Sequence, residues 1–149
     1  MDIGMVFGLF GAAIAFSLSA AGCGIAMGQA GQAAAGVVAE DPRKFGQTLV
    51  LQAMGSTNGI YGLLMAFLIM QKSLTVTDMG TGLWLMASGI PIGVVGLVAA
   101  IGQAKAIVSG IMLIGKKPGE LARAMIYVAM IETFAIFALL ISFLMYNSV

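Results

Sequence analysis

One carboxylate stands out for where it lies. Glu132, in Met130-Ile131-Glu132-Thr133-Phe134, is the only charged residue between 124 and 146. An ionised side chain at the centre of a bilayer costs roughly 2.5–3.5 kcal/mol or more, so an acid there is by default a functional residue. The plainer alternative is a neutral, protonated Glu making one interhelical hydrogen bond. Two functional chemistries are open. With amide and hydroxyl oxygens around it, the carboxylate can replace the water shell of a hard monovalent cation. It can equally hold a proton, because hydrocarbon disfavours the charged form. Loaded with either ion the site is neutral and can face lipid; emptied, it regains its charge. Such a site crosses hydrocarbon only when loaded.

The oxygen neighbours follow from depth. Counted outward from the centre of the 115–120 loop, Gln103 and Glu132 lie equally far up their helices. Counted from Pro42, Thr57 and Asn58 reach the same depth, and Gln29 lies close to it. A polar belt of Gln29, Ser56, Thr57, Asn58, Gln103, Glu132 and Thr133 is therefore expected across the middle of the membrane. Tyr61 stands one turn above Thr57 and Asn58, within reach to donate its hydroxyl to a carboxylate. Lys105 lies nearer the cytoplasm, and its spacing from Gln103 turns it to another face, where it snorkels.

The elements that must hold this belt are legible in the composition. The chain has 149 residues, 60% of them hydrophobic and only 9% charged, whereas a soluble domain carries about 25% charged residues. A net charge of +1 leaves no basic field for nucleic acid. The absence of His removes Ser-His-Asp triads and His metal sites, and a single Cys, Cys23, removes disulfide frameworks and Cys-clustered metals. No organic cofactor is implied. What remains is an all-α integral membrane protein. The uncharged runs 3–39, 45–71 and 79–104, with 124–146, each exceed the ~20 residues needed to cross hydrocarbon. They predict four transmembrane helices near 4–39, 45–71, 80–114 and 121–146. Asp2 in place of a basic leader, and the length of the first run, argue against a secretory signal peptide. Arg43, Lys44, Lys116, Lys117 and Arg123 flank the first and third connections, against Lys72 alone on the other side. The positive-inside rule then puts those two loops in the cytoplasm and both termini outside a cell membrane.

An internal repeat organises the helices. Pro42 returns as Pro118, and Leu63–Leu68 returns at the same offset as Leu139–Leu144. Met27-Gly28-Gln29-Ala30 returns as Ile101-Gly102-Gln103-Ala104, at a slightly shorter offset whose difference falls in the loop. The chain reads as two fused hairpins of parallel design. Residues 1–75 form a first hairpin without a carboxylate, and 76–149 a second that carries Glu132. Glu132 aligns with Ser56, so one ion site is expected per four helices. The first and third helices are dense in Gly at spacings of three and four, which lets backbones approach closely. Some of this is ordinary packing, but two such helices suggest the inner layer of a ring of repeated hairpins.

These residues resemble the proteolipid, or K subunit, of rotary V-type and A-type ATPases, and within that family the bacterial sodium-type members. The resemblance covers essentially the whole chain: two fused hairpins, the Glu in Ala129-Met130-Ile131-Glu132-Thr133, and Lys44-Phe45-Gly46-Gln47 leading into Ser56-Thr57-Asn58-Gly59-Ile60-Tyr61-Gly62. It implies a homo-oligomeric ring turning against a stator subunit whose membrane Arg loads and unloads each Glu132. It further implies attachment to cytoplasmic central-stalk subunits that hold the ATP chemistry, with no catalysis in this chain. It implies Na+ bound by Glu132, Gln103, Thr57, Asn58 and the main-chain carbonyl of Met54, with Tyr61 steadying the carboxylate. One position departs. The second-helix amide is Gln in the sodium-type members and Asn58 here, one methylene shorter; H+ stays the alternative ion, though the oxygen-rich set favours sodium. Membrane lipid is the other expected partner.

Two other classes compete. A small proton-coupled multidrug exporter also has four helices and one membrane Glu, but this carboxylate lies on the last helix with no aromatic cage beside it. A tetraspan structural protein leaves Glu132 and its level polar belt without a purpose.

Overall fold

The computed structural model describes residues 2–149. Helix α1 runs Ile3–Glu40 and is followed by a 3-10 turn, Pro42–Lys44; α2 runs Phe45–Met54, α3 Thr57–Ser73, α4 Met79–Lys116 and α5 Leu121–Asn147. With α2 and α3 counted as one crossing, four helical stretches are long and apolar enough to span a membrane. Among the described residues there is no strand.

The second span departs from the continuous helix expected over 45–71. Its ladder tightens at Gly55 and Ser56, whose amides bond three residues back to Gln52 and Ala53. The Ser56 hydroxyl donates to the Ala53 carbonyl at 2.7 Å and the Thr57 hydroxyl to the Met54 carbonyl at 3.1 Å. A glycine costs about 1 kcal/mol in a helix interior, and Ser and Thr hydroxyls compete for backbone carbonyls. Three such residues in a row interrupt the helix at mid-span.

The loops are held by short-range polar contacts. Asp41 accepts hydrogen bonds from the amide and the guanidinium of Arg43, which hold its carboxyl below the ordinary value. Asp78 caps the start of α4 by accepting the Thr81 amide at 2.7 Å, and that bond lowers its pKa too. The Lys44 ammonium donates to the Gly115 carbonyl at the end of α4, which ties the first and third connections together at one end of the bundle.

Helices α1 and α4 pack through bare backbone. A Cβ at Gly89 would overlap the Gly11 carbonyl oxygen, and one at Gly82 would overlap that of Gly4. Without water to drive association, this close approach is what glycine provides in a membrane. Helix α4 runs unbroken through Pro91. The backbone beside the proline is tied to both neighbours: the Ile92 amide donates to Ser142 at 3.1 Å, and Ser19 donates to the Ile92 carbonyl at 2.9 Å.

The two hairpins are in register at one offset throughout, the one that relates Pro42 to Pro118. Ile107, Ile111 and Ile114 of α4 share a buried cluster with Ala124 and Val128 of α5. Their counterparts at that offset are Gly31, Ala35 and Val38 of α1 and Thr48 and Gln52 of α2, and these five line one groove on the first hairpin. The shorter spacing of the Gly-Gln-Ala motifs is therefore not structural. Two residues turn a helix by roughly 200°, so Gln103 is buried while Gln29 is exposed. The structural counterpart of Gln103 is Met27.

Candidate ion-binding site

Three helices converge on the middle of the span. Helix α3 begins at the break with Thr57 and Asn58 and presents Tyr61 one turn later. Asn58 is fully buried, and its side-chain amide donates to Oε1 of Gln103, also fully buried on α4, at 2.9 Å. The Tyr61 hydroxyl donates to Oε1 of Glu132, half-buried on α5, at 2.7 Å. The Glu132 carboxylate accepts no other hydrogen bond among the described residues. The Thr57 hydroxyl and the Met54 carbonyl are bonded to each other across the break, directly before Asn58 in the chain.

Two buried polar atoms in this group have no partner among the described residues: Asn58 Oδ1 and Gln103 Nε2. Leaving a buried polar group unpaired costs about 1–3 kcal/mol, and native structures seldom do so without a reason. An unpaired amide oxygen, one turn from the tyrosine that holds a carboxylate, is a donor atom suited to a cation. Among the described residues, no three of His, Cys, Asp and Glu gather in one place. A cation here would be held by one carboxylate and neutral oxygens. That set suits a hard ion rather than a soft transition metal, and a single positive charge leaves the group neutral.

The remaining members of the expected belt lie apart. Gln29 is exposed on α1. Ser56 turns its hydroxyl to Ala53, and Thr133 turns its own to the Met130 carbonyl at 2.7 Å. Lys105 is exposed, and the ion pairs of the described residues are Arg43–Asp41 and Arg123–Glu120, neither of them at the site. Sequence reasoning did not foresee that Cys23 accepts the Gly59 amide at 3.0 Å beside the site, nor that Gln52 donates to the Met27 carbonyl at 3.2 Å. The Gly55-Ser56-Thr57 run was the available signal for the break itself.

Comparison with known proteins gives two kinds of match. The family described as the ATP synthase C subunit matches this chain twice, over residues 10–69 and 86–145, the same offset that the packing shows. The V-type sodium ATPase subunit K of Enterococcus hirae is 38% identical over 142 residues, covering 95% of this chain and 91% of that protein. The A-type ATP synthase subunit K of Methanocaldococcus jannaschii is 39% identical over 142 residues, again 95% of this chain but 62% of that longer protein.

Proposed function

We propose that this chain, which belongs to the ATP synthase C-subunit family, is the ion-carrying membrane subunit of a rotary ATPase and moves Na+ on Glu132. The observation that carries the reading is the group at the break: one carboxylate held by Tyr61, beside a buried amide pair with a spare oxygen. The chain does no covalent chemistry of its own. Its relatives are subunits K of a sodium ATPase and of an ATP synthase, which supports the rotor reading over an exporter or a structural tetraspan.

The residues divide the work simply. Glu132 supplies the charge that the ion neutralises. Asn58 Oδ1, Gln103 Oε1, the Thr57 hydroxyl and the Met54 carbonyl supply neutral oxygens in place of water. Tyr61 fixes one carboxylate oxygen so that the other can turn to the ion. A loaded site is neutral and tolerates lipid; an empty one is held back by the cost of a bare charge in hydrocarbon. A stator subunit with a membrane Arg offers the empty carboxylate a partner, and copies of this chain arranged as a ring bring each Glu132 past it in turn. The ends carrying Lys44 and Gly115 face the cytoplasm and the central stalk, with both termini outside, because the basic residues cluster there. H+ is the second ion, favoured by the short reach of Asn58.

Labelling with dicyclohexylcarbodiimide, which attacks protonated carboxyls in apolar surroundings, tests the proposal. Modification at Glu132 that sodium suppresses near neutral pH is the expected result. Modification without sodium protection makes the ion a proton, and no modification at Glu132 removes it as the carrier.

A further inference from the structure

Resting on the ion-site reading above, we infer that Cys23 is a positioning residue for the ion: its thiol, on α1, caps the broken start of α3 and holds the Asn58 oxygen level with Glu132. The argument starts from what the break leaves behind. A helix begins with amides that have no partner inside it, and in hydrocarbon no water serves them. The usual remedy is a capping side chain on the residue where the helix starts. Helix α3 lacks it. Ser56, at that position, makes no capping bond and gives its hydroxyl to Ala53. The Thr57 hydroxyl is likewise turned back, to Met54.

The acceptor comes from another helix. Cys23 is buried, and its Sγ accepts the Gly59 amide at 3.0 Å. The same amide reaches the Ser56 carbonyl at 3.2 Å; of its two partners, the sulfur is the one outside α3, and so the one that fixes where the helix starts. A Cβ at Gly59 would crowd that sulfur at 3.3 Å, so the donor residue is bare where the thiol arrives. Asn58 stands one residue before this amide, fully buried, with its Oδ1 unpaired among the described residues. A bond at Gly59 therefore sets the position of the neighbouring oxygen that is free for a cation.

The duplication supplies a control. At the offset that relates the hairpins, Cys23 corresponds to Ala99 and Gly59 to Ala135. Helix α5 runs unbroken through Ala135, and both alanines are buried. The thiol and the glycine stand together in the hairpin whose second helix breaks, and two methyl groups fill the same places where the ladder is continuous. Packing alone is met by alanine at this position. The sulfur goes with the break, and the break goes with the ion ligands.

The test is made on the purified membrane assembly, through the sodium concentration that half-protects Glu132 from dicyclohexylcarbodiimide at fixed pH. Cys23→Ala should raise that concentration about fivefold, the size of a lost capping acceptor. Cys23→Ser, whose hydroxyl oxygen accepts the same amide, should stay within about twofold of the unmodified protein. Labelling without sodium, followed across pH, reads the carboxylate and Tyr61 but not Asn58, and should be the same in all three. Unchanged sodium protection in Cys23→Ala overturns the inference. Equal weakening in Cys23→Ala and Cys23→Ser also overturns it, because the effect is then one of packing. A pH profile that moves along with sodium protection marks a general loosening and overturns it as well. If Cys23→Ala does not assemble, Cys23→Ala with Gly59→Ala takes its place, since the second hairpin already packs that pair. The same rise is expected of it, and unchanged protection is again fatal. An unmodified protein in which sodium never protects Glu132 overturns the sodium reading and this inference with it, a result distinct from protection to which Cys23 is indifferent.

Discussion

Replacing Tyr61 with Phe removes one oxygen and leaves the ring of the side chain in place. Among the described residues, that oxygen donates the only hydrogen bond reaching the Glu132 carboxylate, at 2.7 Å. A hydrogen bond to a charged group contributes about 1.5–3 kcal/mol. Tyr61 and Glu132 are half-buried, so the lower end of that range applies, about 1.5 kcal/mol or roughly a tenfold change in an equilibrium constant. In the proposed site the bond is made to the carboxylate, the form that would hold sodium, so its loss should weaken sodium binding. The sodium concentration that half-protects Glu132 from dicyclohexylcarbodiimide should rise about tenfold in the Tyr61→Phe ring at fixed pH, while the ring stays assembled. An unchanged half-protecting concentration would refute the idea that Tyr61 positions the carboxylate. A Tyr61→Leu ring, which also loses the aromatic surface, should bind no more tightly than Tyr61→Phe.

The amide pair separates stability from binding. Asn58→Leu leaves Gln103 buried with nothing to bond and should lower thermal stability by about 1–3 kcal/mol; Asn58→Leu with Gln103→Leu should recover most of it yet abolish sodium protection. Gly89→Ala drives a Cβ into the Gly11 carbonyl and should prevent the α1–α4 pair from closing, so that no folded protein is recovered, whereas Gly46→Ala meets nothing within 4 Å and should express normally. The Asp78 cap has a depressed folded pKa, so its contribution is fully present above the ordinary 3.8 and fades as pH falls through the lower folded value. Hydrogen exchange at the Thr81 amide should therefore speed up, relative to neighbouring amides, only below about pH 4; acceleration at pH 6 would show that Asp78 is not the cap.

Much of the fold was legible because hydrocarbon imposes simple rules. Uncharged runs mark the spans, and the structure extends them by a residue or two, as at Ile3–Glu40 against the expected 4–39. The level of Glu132, Gln103 and Asn58, with Tyr61 a turn above and within reach of the carboxylate, was also readable, since depth along a helix follows from counting. Direction around the helix was harder. Gln29 repeats the Gly-Gln-Ala motif but sits two residues out of register, and those two residues turn it out of the bundle. The mid-span break escaped because hydropathy responds weakly to Gly55-Ser56-Thr57, while backbone geometry responds strongly. The cover that Asn58 receives from α4, and that Phe134 lacks, is a tertiary fact that no local pattern carries.

The duplication left an acid in one hairpin and a serine hydroxyl in the other, and this sets a gear ratio. For a ring of given helix count, one Glu132 per four helices halves the charges carried per revolution relative to one per hairpin. In the proposed rotary complex, the energy exchanged per revolution with the soluble motor would not depend on that count. On the rotor reading proposed above, each ion then exchanges against about twice the electrochemical potential, at half the flow, whichever way the ring turns.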